Sequence, residues 1–127
     1  TLQKAVLNGT VDFVTTDHTP LNIEEKRVEF DNAGYGTVGL ESAFGTLNVL
    51  FGLERAVEIL TKGRQRFGMK EPSWEIGDAA NLSLFNPEGE RIFTKEVIKS
   101  TSKNSAFIGQ QLQGEVYGVI NNGKVNL

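Results

Sequence analysis

The sequence has no cysteine, a single histidine, one tryptophan and three prolines among its 127 residues. Without cysteine there is no disulfide framework, no thiolate metal ligand and no thiol nucleophile, a usage compatible with a cytoplasmic protein. With His18 as its lone imidazole, the chain cannot assemble a histidine-rich metal site by itself. No apolar run approaches the roughly 18 residues of a membrane span. The net charge is −3 and no basic run is present, so nothing recruits nucleic acid or an anionic membrane. The opening Thr-Leu-Gln-Lys-Ala-Val-Leu has neither an initiator methionine nor the charged-then-apolar layout of a signal peptide. It reads as the interior of a longer polypeptide.

What is present is globular material. Hydrophobic residues make up 39% and charged residues 23%, enough for one modest domain or part of a larger one and unlike a disordered chain.

The informative stretch is Val11–Pro20, Val-Asp-Phe-Val-Thr-Thr-Asp-His-Thr-Pro. Its β-formers predict a strand over Val11–Thr16, ended by polar groups and a proline that cannot continue a ladder. An Asp-His pair at the carboxyl end of a buried strand is where α/β barrels place their chemistry. An Asx-type turn, with Asp17 capping its own backbone and His18 merely packed, accounts for the same residues.

Before this stretch, residues 1–8 read as the end of a helix, with Thr1 as N-cap, Leu2, Ala5 and Val6 on one face, and Gly9 as the stop. After it, residues 19–38 form a long irregular segment with Pro20, mixed charges, a helical turn near Ile23–Lys26 and the run Asn32-Ala-Gly-Tyr-Gly36. Loops of this length in compact domains are usually functional or disordered. Gly34 and Gly36 allow backbone amides to approach an anion, and a plain turn explains them nearly as well. Leu40, Ala43, Phe44, Leu47 and Leu50 have helical spacing, and Ala56, Val57 and Leu60 form the apolar face of a second helix over 53–60. Core packing accounts for Phe44 and Phe51.

Pro72, Trp74 and Gly77 mark a change of character. Short β-like runs follow at 81–85, 91–93 and 115–121. Asn86-Pro87-Glu88-Gly89 and Asn121-Asn122-Gly123 are predicted as hairpin connections, the Asn-Gly pair suiting a type I′ turn. Between them lies a polar loop, 101–109, anchored by Phe107 and Ile108. The expectation is an α/β chain with residues 1–70 as one unit and 71–127 as a small antiparallel sheet or sandwich.

Three motifs, in this order and spanning the chain, resemble the carboxyl-terminal third of a dihydroorotase of the amidohydrolase superfamily. They are Thr16-Asp-His-Thr-Pro20; Glu25-Lys26 with Ala33-Gly-Tyr-Gly36 and Gly39-Leu-Glu41; and Ser105-Ala-Phe-Ile-Gly109 with Gly114-Glu-Val and Asn122-Gly-Lys124. The resemblance implies the C-terminal piece of a metal-dependent (β/α)8 barrel, usually zinc-loaded, plus part of a small β-sandwich. It also implies interconversion of N-carbamoyl-L-aspartate and dihydroorotate, and with it a small-molecule substrate. The apolar helical faces are expected to seek a second copy, making a homo-oligomer. By position, Val11–Thr16 resembles the eighth barrel strand. Asp17 resembles the aspartate beside the metal, a weak ligand or a neighbour of it, that moves the proton of the hydrolytic water to the leaving nitrogen. Tyr35 and Gly36 resemble loop positions whose backbone contacts substrate, and His18 is read as structural support rather than a ligand.

One departure stands out. The family pattern Asp-His-Ala-Pro-His ends in a substrate-contacting histidine, and here that position is Leu21. Losing a hydrogen bond to a charged group costs roughly 1.5–3 kcal/mol. Neighbouring Asn22 could take over part of that contact. The alternative reading is therefore a catalytically inactive homologue that serves as a scaffold for aspartate transcarbamoylase. The remaining metal ligands of the family are missing from these residues, so the chain alone is expected to be inactive and to hold no tightly bound zinc.

Overall fold

A computed structural model describes residues 1–73 and 75–127. Of the three boundary signals, Trp74 therefore lies outside the described residues. In order the elements are helices α1 (Leu2–Leu7), α2 (Ala43–Phe51), α3 (Leu53–Thr61) and α4 (Gly63–Arg66), then strands β1 (Asn81–Ile92), β2 (Gln111–Asn121) and β3 (Lys124–Asn126). Short 3-10 turns occupy Phe30–Asn32 and Lys95–Val97.

Helix α1 starts after Thr1, which holds the N-cap position without a side-chain capping bond, and stops at Asn8 and Gly9, the latter at φ +79°. Only Val6 is buried; Leu2, expected on the same face, is exposed. Residues 11–16 do not form the predicted strand. A strand exists through bonds to a neighbouring strand, and among the described residues none pairs with this one. Its amides go elsewhere: Val11 N donates to Ala5 O and Val14 N to Ile59 O, at 3.0 and 3.1 Å.

Helices α2 and α3 form at the expected places, and Leu47 and Ala56 are buried as the apolar spacing suggests, but other members of each expected face are not. In α2 the buried residues are Gly45, Leu47 and Asn48, while Leu50 is exposed and Leu40 lies outside the helix. Gly45 sets this orientation, because the helix backbone lies close against β2 there: a β-carbon on Gly45 would stand 2.9 Å from Leu112 Cβ. In α3, Ala56 and Ile59 are buried and Val57 and Leu60 are not, since the helix turns the first two toward Leu47 of α2, Val6 of α1, and Val11 and Val14. Gly52, at φ +78°, makes the break between the two helices.

The sheet is antiparallel with order β1-β2-β3. Asn86-Pro87-Glu88-Gly89 is not the expected hairpin turn. It is a bulge inside one long strand: Asn86 pairs with Glu115 and Glu90 with Gln113, so three residues of β1 face Gly114 alone. Pro87 has no amide to give to a ladder, and Asn86 Oδ1 accepts from Glu88 N at 3.0 Å, closing the bulge locally. The bulge is also held from outside, as Asn48 Nδ2 donates to Pro87 O and Gln113 O. The second connection is as expected. Asn121 pairs with Lys124 across Asn122 and Gly123, at φ +50° and +72°, the signs a type I′ turn requires.

Two apolar clusters result. Val6, Leu47, Ala56 and Ile59, with Val11, Val14 and Phe51 against them, make the first. Val38, Phe93, Ile98 and Leu112 make the second, with Phe107 packed on it. Phe107 is thus the anchor of the 101–109 loop, whereas Ile108 is exposed. Burying each large side chain contributes about 1.5–3 kcal/mol. Phe44 packs on Phe85 at 4.6 Å between ring centroids with the rings tilted by 57°, a packing role as expected.

Candidate functional site

Asp17 is exposed and adopts φ +43°. A non-glycine residue in the left-handed region is uncommon, and aspartate is among the few that enter it. The carboxylate points into no helix cap, and the Asx-type capping bond is replaced by a different one: Thr19 Oγ1 donates to Asp17 O at 3.1 Å.

The residues on either side of Asp17 are held against residues 36–40. Thr19 N donates to Thr37 O at 3.1 Å, and His18 and Thr37 form an isolated parallel bridge. His18 Nδ1 accepts from Gly39 N at 3.3 Å and Leu40 N at 3.2 Å. Two glycines permit the approach. A β-carbon on Gly36 would stand 2.7 Å from Thr19 O, and one on Gly39 would stand 2.9 Å from Thr16 O. Gly36 is therefore placed against Thr19, two residues beyond Asp17.

The 25–36 loop is braced by the Lys26 ammonium and the Glu25 backbone carbonyl. Lys26 Nζ donates to Gly34 O at 2.6 Å and Gly34 N donates to Glu25 O at 3.0 Å, so Glu25-Lys26 works as a clasp on the glycine-rich run. Tyr35 projects from this clasp with 92% of its surface exposed. Leu21 lies against Gly34, where a β-carbon would be 2.9 Å from Leu21 Cδ1.

A third segment was not singled out from the sequence for this role. Ser102 Oγ donates to Leu21 O, Asn104 Nδ2 to Gly36 O, and Ser105 Oγ to Val38 O at 2.5, 3.3 and 2.6 Å. Val38 N donates back to Asn104 O at 2.8 Å. These bonds span more than 60 residues of chain, and short-range spacing carries no trace of them. Glu41 extends the same brace: its carboxylate accepts from Lys99 N, Ser100 N and Ser100 Oγ. Burial pushes its pKa up, but those three bonds and the charge of Lys103 outweigh burial and hold it below the ordinary carboxylate value.

The largest cleft near this region, about 470 Å³, is lined by Asn22, Arg27, Lys95, Ser102 and Lys103 among others, and Asp17 is not part of its wall. The unusual backbone and the cleft are therefore separate features.

No protein-family model matches the chain. The dihydroorotase of Bacillus subtilis (strain 168) is 35% identical over 131 residues, an alignment covering 98% of this chain and 31% of that protein. The dihydroorotase of Elusimicrobium minutum (strain Pei191) is 32% identical over 133 residues, covering 99% and 31%. The chain belongs to the dihydroorotase family. It spans less than a third of the length of these curated relatives. Among solved structures, the dihydropyrimidinase from Brevibacillus agri NCHU1002 superposes with a TM-score of 0.84 at 26% identity, over 98% of this chain and 30% of that one.

Dihydroorotases and hydantoinases are metal-dependent cyclic amide hydrolases. The donor set of this family segment does not fit a metal ion on its own. Among the described residues no three His, Asp or Glu side chains converge. Asp17 is a single carboxylate, and His18, the only imidazole, has Nδ1 committed to two backbone amides. No helix among the described residues is long and apolar enough to cross a membrane.

Proposed function

We propose that these residues form the carboxyl-terminal part of a dihydroorotase that interconverts N-carbamoyl-L-aspartate and dihydroorotate. In this reading residues 1–70 close a (β/α)8 barrel, residues 11–16 are its last strand, and residues 71–127 belong to a small β-sandwich. The enzyme is cytoplasmic, homo-oligomeric and zinc-dependent, with its metal ligands supplied by sequence outside these 127 residues. The family relationship and the TM-score of 0.84 support the reading. The unpaired edge of residues 11–16 is what a barrel strand looks like without its neighbours.

The observation that carries the site is Asp17: an exposed carboxylate in a left-handed conformation, held by its flanks. Strained backbone of this kind clusters where a side chain must be aimed. Asp17 is assigned as acid/base, taking a proton from the attacking water and returning it to the ring nitrogen that leaves. Tyr35 and Gly36 are assigned to the substrate through their backbone, the clasp of Glu25 and Lys26 fixing the loop that bears them. The scaffold reading has no support from relatives, which carry the name dihydroorotase.

Leu21 favours a second reading in which the ring substrate lacks a carboxylate. Its side chain is apolar and packs on Gly34, and solved neighbours include D-hydantoinases and dihydropyrimidinases. The test is turnover of dihydroorotate, dihydrouracil and hydantoin by the zinc-loaded polypeptide at the full length of its relatives, beside Asp17→Asn. Turnover of dihydroorotate that disappears in the variant supports the first reading. Turnover of the uncharged rings alone selects the second, and no turnover of any ring by the metal-loaded protein overturns both.

A further inference from the structure

We propose that His18 is the positioning residue for Asp17, accepting the backbone hydrogens of Gly39 and Leu40 at Nδ1 and so imposing the left-handed turn at Asp17. Its consequence for turnover rests on the acid/base assignment above; its geometry does not.

Both amides converge on one ring nitrogen, at 3.3 and 3.2 Å. A nitrogen that accepts cannot carry a proton, so Nδ1 is the bare nitrogen of the ring and the ring hydrogen belongs on Nε2. The receiving backbone is itself fixed. Gly39 O accepts both Ser42 N and Ser42 Oγ, Ser42 is fully buried, and helix α2 begins at the next residue. His18 therefore ties the Asp17 turn to the rigid start of a helix rather than to a loop.

The residue on the other side of Asp17 meets the same point. Gly39 lies against Thr16, and a β-carbon there would stand 2.9 Å from the Thr16 carbonyl oxygen. Thr16 and His18 are thus both held on Gly39, with Asp17 between them. The chain reaches the same backbone from both sides only if the middle residue turns outward, and Asp17 does so at φ +43° with its side chain exposed. The parallel bridge of His18 to Thr37, with Thr19 N bonded to Thr37 O, fixes the direction in which the chain leaves. Asp17 is aimed by its neighbours, and among them His18 does so through a side-chain acceptor placed at Nδ1.

The acceptor atom supplies the test. An asparagine at position 18 carries Oδ1 close to where Nδ1 sits, while a glutamine carries Oε1 close to where Nε2 sits. His18→Asn should keep the latch, and His18→Gln and His18→Ala should release it. The chain has one histidine, so a long-range proton–nitrogen NMR spectrum of the 127-residue protein reads this ring alone. The expected spectrum shows a protonated Nε2 and a bare Nδ1. Hydrogen exchange at Gly39 and Leu40 should be slow in the native chain and in His18→Asn. It should rise about tenfold or more in His18→Gln and His18→Ala, read on variants that retain a cooperative melt. In the full-length polypeptide, kcat should drop about ten- to a hundredfold in His18→Gln with KM little changed, and recover in His18→Asn, as expected when a catalytic group is misplaced rather than removed.

A ring protonated at Nδ1, unchanged exchange in His18→Gln, or activity kept by Gln and lost by Asn would each overturn the proposal. The last would assign His18 to direct chemistry at Nε2. If the native polypeptide turns over no cyclic amide, the acid/base reading of Asp17 fails, while the tautomer and the exchange rates still decide the latch.

Discussion

Gly39 faces Thr16 at a distance that leaves no room for a side chain: a β-carbon built on Gly39 would stand 2.9 Å from the Thr16 carbonyl oxygen. Real β-carbons essentially never come this close to backbone, and neither partner is the free end of a flexible side chain. Gly39→Ala should therefore push residues 16–18 away from 39–40 and stretch the His18 bonds. Overpacking of this kind costs about 1–3 kcal/mol. Urea unfolding should show the loss, and amide exchange at Leu40 should rise in the same variant.

Asp17 should trade stability against function. A left-handed conformation costs an ordinary residue about 1–2 kcal/mol, and glycine avoids that cost while bringing back about 0.5–1 kcal/mol of chain entropy. Asp17→Gly is expected to melt at the same temperature or slightly higher than the native chain. The proposed turnover should be lost all the same. A clear fall in the melting temperature would mean that the carboxylate itself supports the fold.

Asn48 couples helix α2 to the bulge in β1. Its buried Nδ2 donates to Pro87 O at 2.9 Å and Gln113 O at 3.1 Å, so one amide satisfies two carbonyls where the ladder is interrupted. Asn48→Ala leaves both without that donor and is expected to cost about 1–3 kcal/mol. Asn48→Asp should be worse, because it sets an acceptor against two acceptors. Chemical denaturation of the two variants side by side gives the order.

Glu41 should confer acid sensitivity. Its pKa in the folded chain lies below the ordinary carboxylate value: burial raises it, but bonds from Lys99 and Ser100 and the charge of Lys103 prevail. A carboxyl depressed by folding stabilises the native state above its unfolded pKa, and that stability is lost as pH falls through the folded pKa. Glu41→Gln should be less stable than the native chain near neutral pH, and the difference should shrink as the solution is acidified into the carboxylate range. A gap that stays constant with pH would show that shape, not charge, is what Glu41 contributes.

Local chemistry was legible along the chain wherever neighbours in sequence decide the outcome. Asn122-Gly123 makes its hairpin because both residues accept positive φ, and Gly9 and Gly52 end helices for the same reason. The order of the helices and of β2 and β3 follows from spacing and breakers in the same way. The Thr16–Pro20 run drew attention to Asp17, and the Asp-His-Thr-Pro motif tied it to a family that the relatives bear out.

What tertiary structure alone decided is everything that depends on a partner far away in the chain. Residues 11–16 have strand composition, yet strand structure needs a neighbour, and none of the described residues provides one. Asn86–Gly89 has turn composition, yet β2 and Asn48 hold it straight enough to be a bulge. Val57, Leu60 and Leu50 have core composition, yet Gly45 and Ala56 pack closest because close approach of backbones, not hydrophobicity, set how the helices turned. The clamp around Asp17 is the same case. Its histidine and its two glycines were visible as letters, but their purpose is the approach of residues 16–19 to residues 36–40, and no local propensity encodes that contact.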